Sequence, residues 1–279
     1  MKLGFIGCGK MAAALVKGVL KSGFCEPSDI VASDVHAPSA QALAESCKIK
    51  IVPTNADVTA ASDTVILAVK PGDAIAALQS ASGQQVESNM RWAYTTTADS
   101  NTKLLLSIVA GLPLATIEPA AGNFRVIRVM PNTPALVLQG ASAYSPGTRA
   151  TPEDTAVAQQ ILGSVGLAVQ VKEPLLDAVT GLSGSGPAYI FTVIEALADG
   201  GVLMGLPRDL AMQLAAQTVA GAASLVVQTG QHPSVLRDQV ASPGGTTIAG
   251  IEALEKCGVR TAFIAAVRAA TERSRQLGT

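Results

Sequence analysis

Short apolar runs alternate with helix-period patterns through the first part of the chain. Lys2 to Ile6, Asp29 to Ser33, Thr64 to Val69, Leu104 to Val109 and Phe124 to Val129 read as strands. Met11 to Ser22 and Ser39 to Ser46 carry apolar positions at helical spacing. The run Thr64-Val65-Ile66-Leu67-Ala68-Val69 is continuously apolar, which suits a strand buried on both faces. Strands interleaved with helices predict a parallel sheet joined by right-handed crossovers. After about residue 173 the strand signals stop. Asp177 to Gly181, Pro187 to Gly201, Pro207 to Thr229, Ser234 to Gln239, Thr246 to Cys257 and Val259 to Arg275 all read as helix.

These later helices are rich in small residues, among them Ala198, Gly200, Gly201, Ala215, Ala220 and Gly221. Small side chains allow close backbone approach, and a helical half of this size encloses little core alone, so a homodimer through these helices is expected. The stretch from Leu210 to Leu236 is uncharged and long enough to span a bilayer, yet it holds several glutamines and is built on Ala and Gly. It is expected to be a buried helix in a soluble, oligomeric, cytoplasmic protein with no membrane partner. Between Ala81 and Lys103 the sequence turns polar and aperiodic, and it contains Trp92 and Tyr94. That segment reads as an irregular surface insertion.

Composition narrows the chemistry. With 279 residues, 48% apolar and 15% charged, the chain is a folded protein of about two domains. Lys+Arg number 20 against 21 Asp+Glu, so no basic surplus points to nucleic acid. Two histidines, His36 and His232, and four cysteines without metal or redox spacing leave no expected metal site.

Gly7-Cys8-Gly9-Lys10-Met11-Ala12 fits G-x-G-x-x-G/A directly after a strand and at the start of a helix. In that context Gly7 makes the tight turn, Gly9 admits a pyrophosphate, and Ala12 lets helix and strand pack closely. The fold predicted is therefore α/β: an N-terminal Rossmann-type doubly wound parallel sheet over residues 1–173, then an all-α substrate and dimerisation domain over 174–279. The second strand ends at Ser33-Asp34. The Asp34 carboxylate would accept hydrogen bonds from an adenosine ribose and favour NADH, whereas the Ser33 hydroxyl, with Lys10 and His36 nearby, would suit the phosphate of NADPH. The turn Ala68-Val69-Lys70-Pro71, the end of the Ser107 to Gly111 strand and Met130-Pro131-Asn132 outline a cleft at the carboxyl edge of the sheet. Two further segments, Gly181 to Tyr189 and Ala241 to Thr247, lead into helices, where exposed amides could hold a carboxylate or simply cap the helix.

Gly4 to Met11, Ala68 to Pro71, Arg128 to Pro134, Asp177 to Tyr189, Ala196 to Gly201 and Ser242 to Thr247 together resemble pyrroline-5-carboxylate reductase, in order along nearly the whole chain. The resemblance implies reduction of the cyclic imine Δ1-pyrroline-5-carboxylate to L-proline with NADPH or NADH. It places the active site between the Rossmann domain of one subunit and the helices of a dimer partner, with further assembly of dimers allowed. It implies that Ser242, Gly245, Thr246 and Thr247 hold the substrate carboxylate, that the Thr247 hydroxyl acts at the ring nitrogen, and that Glu173 lies near the substrate. On the cofactor side it brings Ile6, Gly7, Cys8, Gly9, Lys10, Met11, Asn55, Ala68, Val69, Lys70, Pro71, the Ala110–Gly111 turn and Gln239. Hydride transfer to a C=N carbon needs positioning and a weak proton donor rather than a nucleophile, metal or histidine, which agrees with the inventory. The competing readings are another imine or β-hydroxyacid dehydrogenase and a non-catalytic dinucleotide sensor. The first is disfavoured because the long helices Pro187 to Gly201 and Pro207 to Thr229 carry no lysine, and the second because the two glycine-rich helix starts imply a substrate pocket.

Overall fold

The computed structural model describes residues 1–82 and 102–278, so Trp92 and Tyr94 lie outside the described residues. Eight strands form one sheet: β1 (Leu3–Ile6), β2 (Ile30–Ser33), β3 (Lys50–Ile51), β4 (Thr64–Leu67), β5 (Leu104–Ser107), β6 (Arg125–Met130), β7 (Gly140–Pro146) and β8 (Gly166–Gln170). Their order is β3-β2-β1-β4-β5-β6-β7-β8, and each neighbouring pair is parallel except β6 and β7. The first six follow the doubly wound order, whose reversal beside β1 opens a crevice at the carboxyl edge. Helices α1 (Lys10–Lys21), α2 (Ala37–Cys47), α3 (Asn55–Ala61), α4 (Ala74–Ala81), α5 (Leu114–Ala120) and α6 (Pro152–Gly163) accompany the sheet.

Strand period decides which side chains feed which face. Leu3 and Phe5 of β1 join Leu15 of α1 and Ile161 of α6 in one core, while Ile6 joins Val65, Leu67, Leu78 and Ile117 in the other. Burial on both faces explains the unbroken apolar runs that marked β4 and β5. Arg125 on β6 makes two bonds to Asp154 in the first turn of α6, Nε to Oδ2 at 2.7 Å and Nη2 to Oδ1 at 3.0 Å. Thr151 caps the same helix and exchanges hydrogen bonds with Asp154. Burial opposes the Asp154 charge, but the Arg125 and Thr151 bonds outweigh it and hold the carboxyl below its usual range.

Helices α7 (Leu176–Val179), α8 (Gly186–Leu203), α9 (Arg208–Thr229), α10 (Pro233–Val240), α11 (Thr246–Lys256) and α12 (Val259–Leu277) make up the rest, and no strand follows Gln170 among the described residues. The chain separates into two compact units, Met1–Gly184 with Ala270–Thr279, and Ser185–Ala269. The end of α12 thus belongs with the sheet. Ser274 donates to Asp177 Oδ1 at 2.7 Å, and Leu277 and Gly278 lie beside Gly111. In the second unit Ala198 of α8 and Ala211 and Ala215 of α9 are buried together. The expectation that the uncharged Leu210 to Leu236 stretch is buried is corrected at the level of one chain. Helix α9 is long and apolar enough to cross a membrane by length and composition, and only 11% of its most apolar window is buried.

Candidate active site

The carboxyl edge of the first unit is shaped by Gly7. Its φ of +96° is one that side chains rarely adopt, and a Cβ there would come within 2.6 Å of the Ala68 carbonyl oxygen. The turn is pinned by Gly7 N–H donating to the Ser33 carbonyl at 2.8 Å. Two residues on, Gly9 caps α1 without a side chain, and a Cβ at Gly9 would meet no protein atom within 4 Å. The approach to the first amides of α1 is therefore not blocked by a side chain at Gly9, and such amides have no partner within the helix. Lys10 is exposed and Met11 half-buried at this helix start. Cys8 lies inside the loop. Burial first, and the Asp34 charge second, push its thiol up to about 12, so it is no nucleophile.

Asp34 is the first residue beyond β2 and staples two loops. Its Oδ2 accepts from Cys8 N–H at 2.6 Å, and its Oδ1 accepts from His36 N–H at 2.8 Å. Ser33 beside it is 3% exposed, and its hydroxyl donates to Asn55 Oδ1 at 2.7 Å. Asn55 in turn donates to Ser80 Oγ at 2.7 Å, tying the start of α3 to the end of α4. The Ser33 and Asn55 side chains are thereby committed to one another. Ala68 and Val69 leave β4 half-buried, and Lys70 stands exposed before the 3-10 turn that begins at Pro71. Ala110 is exposed in the turn three residues beyond the neighbouring strand β5.

Glu173 sits in the same unit. Its Oε1 accepts from Arg128 Nη1 at 2.9 Å and from the free first-turn amide of Leu114 at 2.7 Å. Sequence reasoning placed Asn132 at the cleft and Arg128 in a family motif, but it found a partner for neither. Arg128 interrupts an apolar strand, and a charge placed there signals a buried partner. Asn132 accepts from Ala141 N–H at 2.8 Å and donates to the Ser183 carbonyl at 3.0 Å, which fixes the glycine-rich segment before α8.

The other predicted residues belong to the second unit. Gly245 caps α11, and the Ser242 hydroxyl occupies the space where a Gly245 Cβ would sit. The first amides of α11 are left open beside the exposed Thr246 and the half-buried Thr247. Gln239 is exposed on α10, and its Nε2 donates to Gln231 Oε1 at 3.3 Å. In each unit a predicted glycine-rich segment thus leads into a helix whose N-cap is glycine and makes no side-chain bond.

A protein of Methanosarcina acetivorans named pyrroline-5-carboxylate reductase is 50% identical to this chain, over 99% of this chain and 98% of its own length. The chain belongs to the pyrroline-5-carboxylate reductase family. The model for pyrroline-5-carboxylate reductase dimerisation matches residues 173–277, and one described as "NADP oxidoreductase coenzyme F420-dependent" matches residues 2–89. A solved pyrroline-5-carboxylate reductase from Coxiella burnetii superposes with a TM-score of 0.89 at 32% identity, covering 100% of this chain and 98% of its own. A pyrroline carboxylate reductase from Plasmodium falciparum, solved with NADP bound, gives 0.83 at 30% identity, again covering 100% and 98%. These family relatives share the Rossmann sheet and the helical C-terminal part described above.

Proposed function

We propose that this chain reduces Δ1-pyrroline-5-carboxylate to L-proline with NADH or NADPH, the last step of proline biosynthesis. The observation that carries this reading is the open glycine cradle at the start of α1, in a chain that matches a reductase of that name over its full length. The amides of α1 bind the pyrophosphate, with Ile6 to Met11 lining the approach, and Asp34 and Asn55 stand on the adenosine side. Ala68 to Pro71 and Ala110 of the first unit take the nicotinamide half, and Gln239 of the second is a separate cofactor contact. Bound there, the dinucleotide supplies the hydride that saturates the C=N carbon. Ser242, Gly245 and the amides of Thr246 and Thr247 hold the substrate carboxylate at the start of α11. The Thr247 hydroxyl donates to the ring nitrogen, which makes the neighbouring carbon more electrophilic and starts proton delivery. Glu173, fixed through one oxygen, keeps its second oxygen for the substrate side.

The working protein is a homodimer joined through the C-terminal helices, in the cytoplasm. The exposed Phe191, Leu203 and Val227 support that reading, as does the dimerisation match. That match begins at 173, within one residue of a functional domain boundary at 173/174, which lies eleven residues before the split between compact units at 184/185.

The test is reduced-cofactor oxidation with pyrroline-5-carboxylate for the wild type and Thr247→Ala. Turnover by the wild type and a kcat lower by about 100-fold in Thr247→Ala, with cofactor affinity retained, is expected. No turnover with either cofactor would overturn the substrate assignment. Equal loss of cofactor binding in the variant would move Thr247 to the cofactor site.

A further inference from the structure

The end of β2 carries information about which dinucleotide the chain prefers. Ile6 pairs with Ser33 in register, so Asp34 emerges next to Gly7 at the mouth of the phosphate cradle. Its two oxygens each accept one backbone amide, from Cys8 and from His36. A carboxylate has about four acceptor positions, so these bonds hold it in place and leave capacity for two more donors. Vicinal ribose hydroxyls are such a pair of donors, whereas a 2′-phosphate presents only acceptors and negative charge.

The surroundings do not compensate for a phosphate. From Asp34 through Cys47 the sequence has no Lys or Arg. The Ser33 hydroxyl, the neutral donor best placed by sequence, is buried and donates to Asn55. The nearest potential cation along the chain is His36, whose Nδ1 is hydrogen-bonded with Ser39 Oγ at 2.9 Å; Lys48 follows only after α2, and Lys10 stands at the start of α1. The Asp34 carboxylate is held instead by the backbone amides of Cys8 and His36.

We infer that Asp34 makes this chain an NADH-preferring member of its family, the stapled carboxylate taking the adenosine ribose hydroxyls and rejecting a 2′-phosphate. The inference rests on the dinucleotide site proposed above and specifies its ligand. It sets this chain apart from the Plasmodium falciparum relative, which was solved with NADP.

The test is calorimetric titration of the full-length wild type with NADH and with NADPH, without imine substrate, repeated for Asp34→Asn and Asp34→Ser. NADH binding at least about tenfold tighter than NADPH in the wild type is expected, from like-charge repulsion and the lost ribose bonds. The ratio should fall towards or below one in both variants. Equal affinities in the wild type, or tighter NADPH, would overturn the inference while leaving the dinucleotide site standing, because Lys10 and His36 would then outweigh Asp34. A wild-type preference that both folded variants keep would also overturn it, since another group would be discriminating. Binding of neither cofactor would overturn the inference together with the proposed function.

Discussion

The two compact units meet the need for a core in different ways. In the first, a sheet clad on both faces buries Phe5, Leu15, Ile66, Leu105 and Ile117 completely. In the second, the buried apolar cluster is Ala198, Ala211 and Ala215, while Leu203 and Val227 are 84% and 83% exposed. A parallel sheet receives contacts from helices of its own chain on both sides, whereas a few alanine-rich helices have too little volume to cover their own faces. The first unit therefore carries its stability within one chain. The second exposes the kind of surface that a second copy covers in the proposed dimer.

Breaking the helical half should have the largest effect. Phe191→Glu places a charge on the exposed apolar face of α8. It is expected to convert the dimer to monomer in light scattering and to lower turnover by more than about 100-fold, with much less effect on dinucleotide binding by the first unit. A fully active dimer after this change would put the interface elsewhere.

The sheet half should answer to a different variant. Asp154→Asn breaks the buried pair with Arg125 and should lower unfolding stability by about 3 kcal/mol in denaturant titration. Its pH signature follows from the depressed carboxyl of the folded state. That contribution is fully present above the ordinary carboxylate range, near about pH 4, and is lost as pH falls through the lower folded value. Wild type should therefore lose more stability than Asp154→Asn between neutral and acid pH, and parallel curves would remove Asp154 from the acid response. A smaller loss, about 2 kcal/mol, is expected for Gly7→Ala from the positive φ and the contact with the Ala68 carbonyl. Dinucleotide affinity should fall with it, and a variant that binds normally would show that the turn can relax.

Much of this division was legible along the chain. Strands β1, β2, β4, β5 and β6 and the helices α8 to α12 stand out because apolar periodicity is a local property and Gly or Pro marks most of their ends. Strand β7 was not legible. Its sequence, Gly-Ala-Ser-Ala-Tyr-Ser-Pro, has no β-branched residue, and its strand state comes from antiparallel pairing with β6 and parallel pairing with β8. The two-residue β3 is too short to show a period, and β8 was passed over with it. The runs at Thr64 and Leu104 overshot into Val69 and Val109, since apolar character continues where pairing stops. In the candidate site the glycine loop could be read because its turn needs particular residues at fixed spacing. The Arg128–Glu173 pair could not, because its members are 45 positions apart.

What the sequence by itself determined is the class of each half and the chemistry of its helix starts. Periodicity and glycine spacing act over a few residues, and the chain alone states them. Tertiary structure decided which carboxylate meets which amide. Asp34 bridges Cys8 and His36, Glu173 is held by Arg128 and Leu114, and Ser274 returns the end of α12 to Asp177. Tertiary structure also decided that α9 remains uncovered within one chain. The physical reason is the same in each case: burial and hydrogen bonding depend on neighbours in space, and those neighbours are chosen only when the sheet has closed.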